Sequence, residues 1–441
     1  MSKPLGSKPL GANYWRLWTA SVVSNFGDGL SSVAYPWLAS AVTRDPLHIA
    51  LIGVATRLPW LLFTLPAGVI TDRVDRRRLV VAMDTLRTVI TLGVAGIVLA
   101  HQSQLAPPET IAQGGASVAV GNGLLLATLY VSALLFGLAE VLRDNTAQTL
   151  MPSIVDKENL ERANGRLWGA EMVMNAFAGP PVGGFLLAVA FSLPFFVDAG
   201  TFAVAAVLIA LVTGKFRPEP PTTRPSFTAD LKEGVRWLWG HRLLRRFAVA
   251  LGLINASTSA AGATIVLYAQ EVLGLDAAQF GLLASAGALG GIAGSFLAPR
   301  VSDRLGPGAN VLLCVAIIGV AYAVIGFTSS AIVVWAMYGA ISVGVVLWNV
   351  VTVSLRQAII PDRLLGRVNS VYRFFGWGMM PIGIFLGGLT VDLVAGQFGR
   401  LVGLRAPLFL ASAVSIGLLV YSASRFSNKV INQARAEAET S

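Results

Sequence analysis

The chain has 441 residues, 55% of them hydrophobic and 13% charged, with a mean hydropathy of +0.68. Soluble domains carry roughly a quarter charged residues, so this composition excludes a disordered chain, a soluble repeat array and an ordinary soluble enzyme. The net charge of +10, in a chain this apolar, reads as loops held at an anionic membrane face and not as nucleic-acid binding.

A membrane-crossing helix needs about 20 mainly apolar residues. The pattern predicts twelve: 16–41, 48–70, 79–100, 124–149, 165–189, 192–213, 245–270, 277–299, 309–328, 331–357, 370–394 and 406–424. The predicted fold is an all-α membrane protein of twelve transmembrane helices in two six-helix halves, 1–213 and 245–424, joined by a linker at 214–244 and followed by a tail at 425–441. Ahead of the first span, Met1 to Asn13 is polar and unlike a cleavable signal peptide. Placing both termini on the cytoplasmic side leaves only Arg44, Arg400 and Arg405 on the opposite side, the bias that fixes orientation.

In chain order, span one carries Asn25, Phe26, Asp28 and Tyr35, span two carries Arg57, and span four carries Glu140 and Arg143. An ionisable group at a span centre costs roughly 2.5–3.5 kcal/mol and is a functional candidate by default. Asp28, Arg57 and Glu140 fall roughly 15 to 20 Å from the inner ends of their spans, with Arg143 one turn nearer that end. Two readings follow. Asp28 with Arg57, and Glu140 with Arg143, form structural ion pairs; or Asp28 and Glu140 carry protons while Arg57 and Arg143, as charge partners, switch them by approaching and withdrawing. Glu171 in span five reads as a packing or loop contact as readily as a coupling group, and Asp198 in span six as structural.

The linker opens with Arg217-Pro-Glu-Pro-Pro-Thr-Thr-Arg-Pro225, an extended segment. Phe227, Leu231, Val235 and Leu238 then recur at helical spacing, which predicts an amphipathic helix along the inner surface. In the second half, Asn255, Trp348, Asn349, Arg373, Phe374 and Trp377 are candidate cavity residues, together with Asn25, Phe26 and Tyr35, because a mostly apolar pocket with a few polar groups suits bulky amphipathic compounds. Cys314, the single cysteine, excludes an internal disulfide framework and a cysteine-rich metal site; no metal is expected.

The halves echo each other. Gln148-Thr-Leu-Met-Pro152 and Arg162-Ala-Asn164 follow span four, and Gln357-Ala-Ile-Ile-Pro361 and Arg367-Val-Asn369 follow span ten. Thr71-Asp72-Arg73 after span two matches Ser302-Asp303-Arg304 after span eight. Parallel six-span repeats mark transporters whose site lies at the repeat interface.

On these residues the chain resembles the major facilitator superfamily. Gly68-Val-Ile-Thr-Asp72-Arg73-Val-Asp75-Arg76-Arg77-Arg78 is similar to that superfamily's loop between spans two and three, with Asp75 where the usual pattern has glycine. The resemblance implies a gating latch between the halves built from Gly68, Asp72, Arg73 and Arg76, with Asp303 and Arg304 as the second-half counterpart. Gly179-Pro180-Pro-Val-Gly183-Gly184 in span five is similar to the end of the antiporter signature of drug-exporting members. Phe26-Gly-Asp-Gly-Leu30 and Ala34-Tyr-Pro-Trp-Leu38 resemble the branch of macrolide-efflux proteins, Tap-like multidrug pumps and enterobactin exporters.

The function expected is proton-coupled secondary active export of amphipathic small molecules such as antibiotics or siderophores, by a monomer in a prokaryotic plasma membrane that needs no cofactor beyond the proton gradient. One proton at roughly 180 mV supports a gradient of order 10³. No GxxxxGK[ST] motif is present for nucleotide hydrolysis. Import of a polar nutrient or lysolipid is the alternative within transport, and a non-transporting membrane scaffold the alternative outside it. An enzyme is not expected, because no nucleophile–base or metal-ligand grouping is visible. Membrane lipid and a small molecule are the expected partners; nucleic acid is not.

Overall fold

The computed structural model describes residues 10–71, 73–106, 110–111, 123–217 and 227–439. Among them, all regular structure is helical. In chain order these are α1 (Gly11–Val42), α2 (Pro46–Thr71), α3 (Arg76–Ala100), α4 (Gly123–Leu150), α5 (Lys157–Val189), α6 (Leu193–Ala210) and α7 (Phe227–Gly240). Then come α8 (Arg242–Glu271), α9 (Ala277–Phe327), α10 (Ala331–Ile359), α11 (Asp362–Phe398), α12 (Arg400–Ser422) and α13 (Asn428–Glu439).

Ten of the described helices are long and apolar enough to cross a membrane. One of them, α9, has 51 residues, which would extend about 75 Å, over twice the thickness of a hydrocarbon core. It bends at Gly306, whose φ of 80° is open to glycine, and so crosses twice. The side chain of Asn428 at the start of α13 accepts from the Gly308 N–H at 2.6 Å and donates to the Leu305 carbonyl at 2.8 Å, holding the two arms of the break together. With α1, whose 32 residues are more polar, the crossings number twelve. Helix starts are fixed locally. Asp75, standing where a glycine is usual, accepts from the Arg78 N–H at 2.9 Å as the N-cap of α3. Asp276 and Gln279 form a reciprocal capping box at the start of α9.

In the first set of six, α1 packs on α5 and α6, α2 on α4, and α3 on α4 and α6; in the second, α8 packs on α11, and α9 on α10 and α12. Two seams join the sets, α2 against α11 and α5 against the first arm of α9. Close approach is set by glycine: Gly29 of α1 lies against Gly179 of α5, Gly183 against the Leu30 backbone, and Gly184 against Ala277 and Gly281 of α9. The predicted linker helix is α7; its Leu238 is fully buried, Gly234 abuts the Arg367 backbone of α11, and Glu233 pairs with Arg363 and Arg367. The proline-rich segment 218–225 lies outside the described residues. His241 follows as the N-cap of α8, accepting from the Leu244 N–H at 3.3 Å; burial pushes its pKa down, in keeping with a neutral ring that accepts.

One end of the bundle carries the first and last described residues and most of the arginine-rich turns; we call it the basic end. The polar contacts between the two sets gather at the far end. Arg44 of the α1–α2 turn pairs with Glu271 at 2.7 Å and donates to Gln270; Gln270 donates to Ser40 at 2.8 Å; Arg400 donates to Glu271 at 2.9 Å and to the Arg44 carbonyl at 2.7 Å. Below this cluster, Trp37 of α1 meets Phe280 of α9, with centroids 5.7 Å apart.

Candidate functional site

Polar side chains within a bilayer are retained where they face one another or water. The inner face of α1 supplies several, Ser21, Ser24, Asp28 and Ser31 among them, and draws partners from α3, α4, α5 and α6. Between the two sets of six lies a cavity of about 420 Å³. Asp28 and Tyr35 of α1, Arg57 of α2, Glu140 of α4 and Asn175 of α5 line it from the first set, Ser259 and Val266 of α8 and Ile384 of α11 from the second. Asp28 and Glu140 thus face one space shared by both sets, and Arg57 shares its wall.

The ion pairs differ from those expected. Asp28 is paired with Arg87 of α3, not with Arg57. Arg143 is paired with Asp84 of α3 at 3.5 Å and with its neighbour Asp144 at 3.1 Å, not with Glu140. The reason is rotation: α4 turns Glu140 to the cavity and Arg143 toward α1 and α3, where Arg143 also donates to Ser21 at 3.4 Å. Glu140 accepts from the Trp60 indole N–H at 3.4 Å, and Arg57 is the cation facing it. Arg87 is fully buried, donates to Ser24 at 3.1 Å, and is flanked by the rings of Phe202 and Phe136, 3.8 and 4.6 Å from its guanidinium carbon. Asp198 is buried and accepts from Ser31 at 2.5 Å, so it ties α6 to α1. Glu171 lies within electrostatic reach of Arg143 and Asp144.

The remaining expected cavity residues divide. Asn25 accepts from Asn175 at 3.4 Å at the cavity's edge. Arg373, Phe374 and Trp377 line a second, smaller cavity of about 80 Å³ between α2 and α11, with Trp60 and Thr64 opposite. There Trp60 meets Trp377 at 5.4 Å, and Arg373 lies 5.1 Å over the Trp377 ring. Five expected residues, Asn25, Phe26, Asn255, Trp348 and Asn349, are absent from both linings. Trp348 is buried edge-on against Phe247 in the second set, Asn255 donates to the Gly376 carbonyl, and Asn349 donates to Val345 of its own helix. Helical periodicity places a residue on a face but does not say which face meets the cleft.

Of the loop expected to latch the halves, Asp72 lies outside the described residues. Arg76 donates to the Thr149 carbonyl at 3.1 Å and Ser153 at 3.3 Å, and Arg77 to the Val212 carbonyl at 2.8 Å, so the loop binds α4 and α6 of its own set. Gly68, expected as part of that latch, has open space around it, and Arg73, Asp303 and Arg304 are exposed. The Gly179-Pro180 segment follows a π-helical stretch, Val173–Ala178, and forms the α1–α5 crossing. Its Gly184 also touches α9, so one motif serves both an internal contact and a seam.

Sequence reasoning passed over Asp84, Arg87, Asp144 and Glu271. Asp84 and Arg87 stand three apart in an apolar span, the spacing that singled out Glu140 and Arg143, and the same rule would have found them.

Comparison with known proteins is consistent across its kinds. A sequence profile described as the Major Facilitator Superfamily matches residues 17–384. The chain is 28% identical over 424 residues to "Multidrug efflux pump Tap" of Mycobacterium tuberculosis (strain ATCC 25618 / H37Rv), covering 90% of this chain and 91% of that one. It is 25% identical over 410 residues to "Enterobactin exporter EntS" of Escherichia coli O1:K1 / APEC, covering 91% and 88%. Among solved structures it is similar in fold to a bacterial homologue of the iron transporter ferroportin in an inward-facing state, with TM-score 0.69, 19% identity and coverage of 92% and 98%. The nucleoside transporter NupG is also similar, with TM-score 0.69, 10% identity and coverage of 94% and 99%.

Proposed function

The chain belongs to the Major Facilitator Superfamily, and from that premise we propose that it is a proton-coupled secondary active exporter of amphipathic small molecules of the antibiotic, multidrug or siderophore kind, working by alternating access. The observation that carries this reading is the pair of carboxylates, Asp28 and Glu140, on the wall of one cavity between the two sets of six helices. Export, as against import, is supported by relatives that are efflux pumps and exporters over nine-tenths of this chain.

The basic end is the cytoplasmic end on this reading, both termini lie inside, and the protein spans a prokaryotic plasma membrane. The cavity is then sealed from the outside by Arg44, Glu271, Gln270 and Arg400, and cargo reaches it from the cytoplasm. Its lining suits amphipathic cargo: Tyr35, Ile49, Ile52 and Phe136 offer apolar surface, and Asn175, Ser32 and Thr56 offer a few hydrogen bonds. A proton on Asp28 neutralises it and frees Arg87; loss of that proton restores the ion pair. Binding of cargo and of proton thereby compete through one charge, which couples them.

The test is flux in proteoliposomes, with a cargo chosen by thermal-shift screening of the purified protein against antibiotics, siderophores and lipids. Wild type is expected to accumulate it against an imposed proton gradient, and the Asp28→Asn and Glu140→Gln variants to equilibrate it only. Undiminished accumulation by both variants would overturn the coupling assignment.

A further inference from the structure

The buried charges of the first set form a line. Asp28 faces the cavity with 16% of its side chain exposed and pairs with Arg87; Arg87 lies 3.7 Å from Asp84; Asp84 lies 3.5 Å from Arg143; and Arg143 pairs with Asp144, whose side chain is 34% exposed. The two ends are wet and the middle three members are buried. Signs alternate along it, so each member can exchange one neighbour for the other with little movement.

The middle of the line is under-satisfied. Both oxygens of Asp84 are buried without a hydrogen bond, as are Nε of Arg87 and Nε of Arg143. A buried carboxylate without a well-formed hydrogen bond is costly, and its two guanidinium neighbours stand 3.5 and 3.7 Å away. Each has a closer partner elsewhere, Asp28 for Arg87 and Asp144 for Arg143. Such a group is satisfied only when one of its neighbours lets go of that other partner.

We propose that Asp84 is a positioning residue of the transport cycle, the waiting acceptor that takes Arg87 when Asp28 is neutralised and in doing so releases Arg143 toward Asp144. The inference rests on the reading of Asp28 as a proton carrier. The step is a proton from cavity water forming an O–H bond on Asp28, followed by exchange of ion-pair partners along α1, α3 and α4. It carries the state of the cavity toward the basic end of α4, where Arg76 already holds the α2–α3 turn. Other charges face this line: Glu140 and Arg57 on the cavity wall, Asp198 from α6 and Glu171 from α5. They set its resting balance, but none is recorded in ion pairing with Asp84.

The test needs no cargo. Cys314, the native cysteine, is buried, so a Thr43→Cys background reports far-end opening by its rate of labelling with N-ethylmaleimide across a pH series in proteoliposomes. That rate is expected to change about tenfold with pH. Asp28→Asn is expected to abolish the change; a change that persists there, or is missing from the background itself, overturns the proton-carrier reading beneath. Given a response that depends on Asp28, Asp84→Asn is expected to lose it while Asp28 remains, and Asp84→Glu to restore it. A purely structural Asp84 would alter labelling equally at every pH, and a preserved response in Asp84→Asn overturns the proposal alone. Should Asp84→Asn not insert, Asp144→Asn, at the wet end, decides: a weakened response supports the line and an unchanged one overturns it.

Discussion

Arg87 shows how much one side chain can organise. Its guanidinium is flanked by two phenylalanine rings and lies within ion-pair reach of two carboxylates, a geometry that lysine cannot reproduce. Arg87→Met leaves Asp28 without its cation and Asp84 with Arg143 alone, and is expected to cost about 3–5 kcal/mol, read as a fall in thermal unfolding temperature in detergent. Adding Asp28→Asn is expected to recover part of the loss. Strictly additive losses would show that the two residues are not partners. Asp28 and Glu140 were legible in the sequence, because a lone acid in an apolar run has no cheap explanation. Their partners were not, because Arg87 comes from a helix 59 positions away, and the rotation that brings it to Asp28 is set by packing.

At the level of helices, α5 is built to touch two neighbours through adjacent glycines. A Cβ on Gly183 would meet the Leu30 backbone within the first set, and one on Gly184 would meet the Ala277 carbonyl across the seam. Gly183→Val is therefore expected to lower thermal stability by about 1–3 kcal/mol through overpacking. Gly184→Val is expected to leave the first set sound and to open the far end, raising maleimide labelling of Thr43→Cys; equal behaviour of the two variants would contradict this division. The glycine spacing was visible in the sequence, as was the break between spans eight and nine. The helix that each glycine faces was not, since that depends on how α1 and α9 lie against α5. Likewise Asp75, a departure from the usual loop pattern, became intelligible only as a helix cap.

Taken as one body, the molecule ties its two sets together at the far end with a small ionic cluster. Glu271 bonds two arginines, Arg44 from the first set and Arg400 from the second. These are two of the three basic residues that sequence reasoning placed on that side. Glu271→Gln is expected to weaken closure by about 1.5 kcal/mol, roughly tenfold in the ratio of closed to open. Spin labels at Thr43→Cys and Gln397→Cys would read this as a longer distance population; an unchanged distribution would mean that the seam helices alone hold the end shut. The twelve crossings were readable because length and hydropathy fix them. Which end carries the contacts between the sets was not, because one sequence serves every state of a moving protein.

The polar inner face of α1 has a further consequence. This helix is not among the ten that are apolar enough to cross on their own, yet it is synthesised before α3. Its acid has no cation until α3 has been synthesised, so a nascent chain stopped short of α3 is expected to hold α1 less firmly in lipid than one that includes it.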